Sequence, residues 1–399
     1  MTLNPETQQF IKENINKDVN ALLLMKNTPP GVDIKFAVQQ IEARKKAVTK
    51  LPSLCANERF IFPSRLSMEQ CSSEPAAKYK SRFVTGGKVA DITGGFGIDA
   101  IYMSERAEHL VYIEQNEALA EMAAYNFSLL DKRNVTIVCD DSLHYLEHNT
   151  ESDFDCIYVD PARRNNRQHK TVLFADCTPD VKAHRRLLLS RAKTVLIKAS
   201  PMLDITQAVK DLEYGVVEIH IVSVKNECKE LLFLCRKGEF SPDVHCVNLF
   251  NDREPEIFSF SFREESESEA RYAREVQSYI YEPNASVMKS GAFKLVCKRF
   301  DLRKLHPNTH LYTGNELHEN FPGRIFETTD IFSPSDAAFR HHLPLKQADI
   351  TVRNYPLSVS QIRNKYKIKE GGNIYLFAVT TADDKKAMIK CGKVKRDKG

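Results

Sequence analysis

A chain of 399 residues is longer than a single hydrophobic core usually grows, so roughly two to four domains are expected. Its 42% hydrophobic and 28% charged composition is that of an ordinary globular protein, and no apolar run reaches the ~20 residues needed to cross a bilayer, which excludes a membrane protein. The net charge of +4 is too small to establish nucleic-acid binding, and the ten cysteines are scattered without CxxC pairs, so they read as buried thiols and no metal is expected. The polar N-terminus lacks the pattern of a secretory signal, which fits a cytoplasmic protein.

Residues 1–80 read as a helical region, with Phe36, Val38, Ile41 and Ala47 spaced as one face of a helix and Pro29-Pro30-Gly31 breaking it from the helix before. From Lys88 the pattern changes to short β-branched runs alternating with helical stretches. Val89–Ile92, Leu110–Ile113, Val135–Val138, Ile157–Val159 and Thr194–Ile197 are predicted strands, and their alternation with helices implies a parallel sheet with right-handed crossovers. Val216–Val224 and Leu231–Leu234 are separated only by Lys225–Glu230, too short for a parallel crossover, so they form a hairpin. Beyond Gly238, Asp252–Arg274 joins a strand to a solvated helix, and strand-like runs at Ala292–Val296, Ala348–Val352 and Ile374–Val379 suggest small α+β modules.

The strongest motif is Asp91-Ile92-Thr93-Gly94-Gly95-Phe96-Gly97-Ile98-Asp99, which follows the first strand and opens a helix, where glycines let a ligand approach the backbone at a helix N-terminus. Gly95-Phe96-Gly97-Ile98-Asp99-Ala100 also fits the GxGxxG/A dinucleotide fingerprint, but Asp99 would then repel the pyrophosphate. Acidic groups at Asp91 and Asp99 instead suit the sulfonium and ammonium of S-adenosylmethionine. Glu114 ends the second strand about 20 residues on, in register to accept from ribose hydroxyls. Asp140 and Asp141 end the third, where either can meet an adenine amine or cap the next helix. Ser72 and Ser73, just before the loop, either line the cofactor mouth or cap a helix.

Asp160 and Pro161 fall at the carboxyl end of the fourth strand. One side-chain oxygen and fixed carbonyls there can accept both N–H bonds of a nucleobase amine, turning its lone pair toward the methyl group. The loop cluster Arg163, Arg164 and Arg167 is placed to meet a phosphate backbone, and Lys198, at the end of the fifth strand, is placed to line the site or neutralise a phosphate.

From Lys88 to Leu234 these residues resemble the class I methyltransferase motifs in order and spacing. The glycine loop is similar to that of bacterial ribosomal RNA guanine-N2 methyltransferases, and Asp160-Pro161-Ala162-Arg163 resembles the DPP-aromatic and DPPR motifs, with Ala162 and Arg163 as departures. Uridine C5-methylation would need a thiolate after the fifth strand, where this chain has Lys198-Ala199-Ser200-Pro201, so a nitrogen acceptor is expected. Pro63-Ser64-Arg65-Leu66-Ser67, Glu69-Gln70-Cys71-Ser72-Ser73-Glu74, Lys198-Ala199-Ser200-Pro201-Met202 and Lys369-Glu370-Gly371-Gly372 further resemble a bacterial family in which a methyltransferase is followed by ferredoxin-like and THUMP-like domains. That resemblance implies an α/β fold with a Rossmann-like class I methyltransferase sheet over 81–240, a ferredoxin-like α+β module over 241–325 and a THUMP-like domain over 326–399. It implies S-adenosylmethionine as cofactor and a structured tRNA or rRNA as partner, with no membrane and no metal. Two rivals are an NAD-dependent oxidoreductase using the same loop and a catalytically silent RNA-binding protein.

Overall fold

The computed structural model describes residues 3–25, 27–149, 153–163, 173–213 and 215–394. The chain divides into two compact units, one comprising Met1–Val224, Lys229–Ser241 and Leu249–Arg253, the other Lys225–Cys228, Pro242–Asn248 and Glu254–Gly399.

The first unit is built on the strands β1 (Lys88–Asp91), β2 (His109–Ile113), β3 (Val135–Val138), β4 (Phe154–Val159), the short β5 (Ala162–Arg163) and β6 (Cys177–Thr178), β7 (Ala192–Ala199), β8 (Val216–Val224) and β9 (Glu227–Cys235). The main sheet of this unit runs β8-β9-β7-β4-β1-β2-β3. Strands β7, β4, β1, β2 and β3 are parallel, and β9 is antiparallel to β7. The expected closing hairpin is present. Its turn is tighter than anticipated, because Lys225 and Asn226 both take positive φ, the conformation a two-residue hairpin turn needs. The chain runs from β1 through β2 to β3 on one side and then crosses to β4 on the other side of β1, so the carboxyl end of β1 is a topological switch point, where open α/β sheets hold ligands. The central strands β1, β2, β4 and β7 are buried on both faces: Val89, Ala90, Leu110, Tyr112, Ile157, Tyr158 and Leu196 form the centre of the sheet.

The predicted N-terminal helices are seen at Val19–Leu23 and Ile34–Lys50, with Asp18 and Asp33 accepting from the first-turn N–H groups of each. Their apolar sides meet those of Phe10 and Ile11 in one small core. Two buried amides fasten the extended chain that follows. Gln40 donates to the Phe62 carbonyl and accepts from its N–H, and Asn126 does the same at Ile61. Both backbone groups of two consecutive buried residues are thereby satisfied.

In the second unit a seven-stranded sheet runs Arg303–Lys304, Tyr312–Gly314, Tyr279–Pro283, Gly323–Phe332, Lys386–Lys393, Ile374–Thr380 and Asp349–Arg353. The strand expected at Ala292–Val296 is instead part of a helix, Phe293–Arg299. Gly291, in the left-handed region, ends the preceding helix, and the Glu265 carboxylate accepts from the N–H groups of Lys294 and Leu295. A short apolar run does not distinguish a strand from a buried helix face; a capping carboxylate from elsewhere in the chain decided it. Among the described residues no helix is long and apolar enough to cross a membrane.

Candidate active site

A cleft of about 750 Å³ opens at the carboxyl ends of the central strands, a size suited to a small-molecule ligand. Of the residues singled out from sequence, Ser72, Asp91, Thr93, Gly94, Gly95, Phe96, Gly97, Asp99, Glu114, Asp140, Asp141, Asp160, Pro161, Arg163 and Lys198 line it. Ser73 is not in this lining; it precedes the helix Glu74–Ser81 as its N-cap residue, without a side-chain capping bond. Arg164 and Arg167 lie outside the described residues.

The glycine loop is shaped by its own packing. A Cβ at Gly94 would lie 2.4 Å from two ring atoms of Tyr112, and Gly97 sits at φ +83° as the N-cap residue of the helix Ile98–Met103. Tyr112 donates its hydroxyl hydrogen to the Gly95 carbonyl at 2.6 Å. Glu114 reaches back from the end of β2, one oxygen accepting from Gly95 N–H at 2.7 Å and the other from Asn116 N–H at 2.8 Å. Thr93, grouped with the cofactor residues from sequence, turns its hydroxyl to accept from the backbone N–H of Asp160 at 2.7 Å. It thus ties the glycine loop to the Asp-Pro turn of the fourth strand.

Asp141 caps the helix Ser142–His148, accepting from Leu143 and His144 N–H. Asp140 accepts from Asp141 N–H and contacts His144, whose hydrogen bond holds the Asp140 carboxyl below its ordinary range. Arg163 is exposed on β5, which pairs with β6. On the helix Val181–Arg191 further basic residues are paired with acids, Lys182 with Asp211 and Arg185 with Glu213.

Below the cleft floor lies an ionic network that the sequence pattern does not reveal. Lys80, completely buried, donates to Ser72 Oγ at 2.8 Å and to both Glu230 oxygens at 2.9 Å, and its Nζ is 3.2 Å from Asp99 Oδ1. Asp99 Oδ2 accepts from Tyr158 at 2.6 Å and from Ser72 at 2.9 Å. Burial opposes the Asp99 charge, but Lys80, then Lys198, and the hydroxyls of Tyr158 and Ser72 outweigh it and hold the carboxyl below its usual range. Lys198 pairs with Asp160. Burial disfavours its charge, yet Asp160, Glu230 and Asp99 together push its pKa above that of an ordinary lysine. Asp91 is the contrasting case. It is 1% exposed, accepts from Thr93 N–H at 3.1 Å, and burial with the like charges of Asp99, Asp160 and Glu114 nearby pushes it up to about 8.

A ferredoxin-like domain family matches residues 279–322 and a THUMP domain-like family matches residues 323–393. The crystal structure of a provisionally assigned methyltransferase of Porphyromonas gingivalis W83 is 34% identical, with 99% of this chain and 100% of that one covered and a TM-score of 0.88. The chain belongs to the family of S-adenosylmethionine-dependent methyltransferases with C-terminal ferredoxin-like and THUMP-like domains. Two relatives from Mycobacterium tuberculosis, strains CDC 1551 / Oshkosh and ATCC 25618 / H37Rv, are each named as an uncharacterised S-adenosylmethionine-dependent methyltransferase. Each is 22% identical over 340 residues, 84% of this chain and 89% of the relative. Within this methyltransferase the ferredoxin-like and THUMP-like stretches share the seven-stranded sheet, joined where Tyr279–Pro283 pairs antiparallel with Gly323–Phe332. The cleft's chemistry suits the family's cofactor. Asp99, Glu114, Asp140, Asp141 and Asp160 outnumber Arg163, Lys198 and Lys229 in its lining, which favours a ligand carrying a sulfonium and an ammonium over one carrying phosphates.

Proposed function

We propose that this methyltransferase modifies a nucleobase nitrogen of RNA, with an exocyclic amine as acceptor. The observation that carries the reading is the placement of Asp160-Pro161. The dipeptide ends a central strand beside the glycine loop, Thr93 fixes its backbone N–H, and Lys198 engages Asp160 Oδ2. Among the described residues Asp160 Oδ1 and the Pro161 carbonyl are left as acceptors for the amine N–H bonds, and Lys198 holds the carboxylate rotamer that presents Oδ1.

The cofactor, when bound, supplies an electrophilic methyl group on a sulfonium. Asp91 and Asp99 hold its cationic groups, Glu114 accepts from the ribose hydroxyls, and Asp141 or Asp140 accepts from the adenine amine. The loop Gly94, Gly95, Phe96 and Gly97 forms the wall between them. Proximity and orientation supply most of the acceleration, and Asp160 can take the proton that the amine releases. Arg163, with Arg164 and Arg167 soon after it in the sequence, meets the RNA backbone. Residues 81–240 carry the chemistry, and the modules over 241–325 and 326–399 hold the RNA. The THUMP domain-like match over 323–393 supports that partner.

The test is nucleoside mass spectrometry of RNA from cells with and without the gene, together with methyl transfer from labelled cofactor to the purified RNA. A methylated base present only with the gene supports the reading. Cofactor binding with every nucleoside unchanged would leave a silent RNA-binding protein or a different acceptor.

A further inference from the structure

Lys80 comes from the helix Glu74–Ser81, in the N-terminal region rather than from the motifs that define the cofactor cleft. A buried ammonium is retained against a large desolvation cost only when its partners are well arranged. Here they are Ser72, Glu230 and Asp99, all buried. Of these, Ser72 and Asp99 line the cleft. Asp99 Oδ2 is filled by two hydroxyl donors, whereas buried Oδ1 has no hydrogen-bond partner among the described residues and touches only the Lys80 charge.

We propose that Lys80 is a positioning residue for cofactor binding, holding Asp99 as a fixed carboxylate whose negative charge favours the cationic methionyl end of the ligand in the cleft above it. The inference rests on the cofactor reading of Asp99 and makes the N-terminal helical region a structural part of the cofactor site. The groups facing Asp99 define what happens without Lys80. They are Ser72 and Cys71 from the preceding segment, Asp91 on β1, Tyr158 on β4 and Lys198 on β7, with Glu230 on β9 reaching Lys80. With Lys80 removed, Lys198 is the one charged group in that set still favouring the ionised form, while burial opposes it. Asp99 would then take up a proton at mildly acidic pH and lose its attraction for a cation.

The test is binding of S-adenosylhomocysteine by calorimetry to the full chain from pH 6 to pH 8. The double variant Lys80→Met with Glu230→Gln removes a buried ion pair without changing net charge. We expect its Kd to exceed the wild-type value by about tenfold or more at pH 6, the ratio falling toward one by pH 8 as Asp99 ionises. Asp99→Asn should be weak throughout, with no such recovery. If Asp99→Asn binds like the wild type, the cofactor reading of Asp99 fails. If Asp99→Asn is weak but the double variant matches the wild type at every pH, the Lys80 proposal alone is overturned. A weakening that is the same at every pH would also overturn it, since that is the signature of lost packing. Ser72→Ala, which deletes one donor to Asp99 and one acceptor of Lys80, gives a smaller shift of the same kind and serves if the double variant does not fold; an affinity ratio that does not change with pH in Ser72→Ala likewise overturns the proposal.

Discussion

Asp91 offers a quantitative test of how the cleft receives a cation. Its carboxyl is buried at the end of β1, with the like charges of Asp99, Asp160 and Glu114 around it, and stays protonated up to about pH 8. If the ligand ammonium binds only the ionised form, affinity must rise with pH until Asp91 has lost its proton. The ionised fraction is ~1% at pH 6 and ~24% at pH 7.5, so affinity for S-adenosylhomocysteine should climb about 25-fold, or ~1.9 kcal/mol, over that interval. The upper limit is set at about pH 7.5 because α-amino groups themselves begin to titrate near ~7.7–8.0. Calorimetry at several pH values, in buffers of differing ionisation enthalpy, should also show about one proton released per ligand near pH 6.5. Asp91→Asn should bind more weakly and remove this dependence. A wild-type affinity constant across the interval, with no proton released, would refute the pairing of Asp91 with the ammonium.

Glu114→Ala should weaken S-adenosylhomocysteine binding by about 1.5–3 kcal/mol, the cost of a charge-assisted hydrogen bond; an unchanged calorimetric Kd in the folded variant would remove Glu114 from the ribose site. Asp160→Ala should lower single-turnover methyl transfer about a hundredfold or more while cofactor affinity stays nearly intact, and full activity would make the Asp-Pro turn purely structural. Arg163→Ala should act on RNA affinity instead, flattening the salt dependence by about one counterion, and an unaltered slope would argue against phosphate contact. Gly94→Ala should destabilise the fold by about 1–3 kcal/mol, because the new Cβ collides with the buried Tyr112 ring; an unchanged melting temperature would contradict that packing.

The parallel strands of the sheet and the position of its ligand edge were legible from sequence because the strand runs and the residues that follow them are local features of the chain. Short β-branched runs alternating with helical patterns specify parallel strands. Gly97, Glu114 and Asp160 follow their strands at spacings that place them at one edge, where they are found. The roles of Thr93 and Ser72 were not legible. Thr93 reads as a cofactor contact and Ser72 as a cofactor contact or a cap, and only packing gave Thr93 the Asp160 backbone and Ser72 the Asp99 carboxylate. Ala292–Val296 failed as a strand for the related reason that its helix is capped by Glu265, a distant carboxylate. Lys80 and Glu230, 150 residues apart, carry no mutual signal in the chain. Secondary structure follows from the conformational preferences of near neighbours, whereas the partner of a buried charge is chosen by three-dimensional proximity in a low dielectric. Tertiary structure therefore decided which of many ordinary lysines and glutamates would become part of the site.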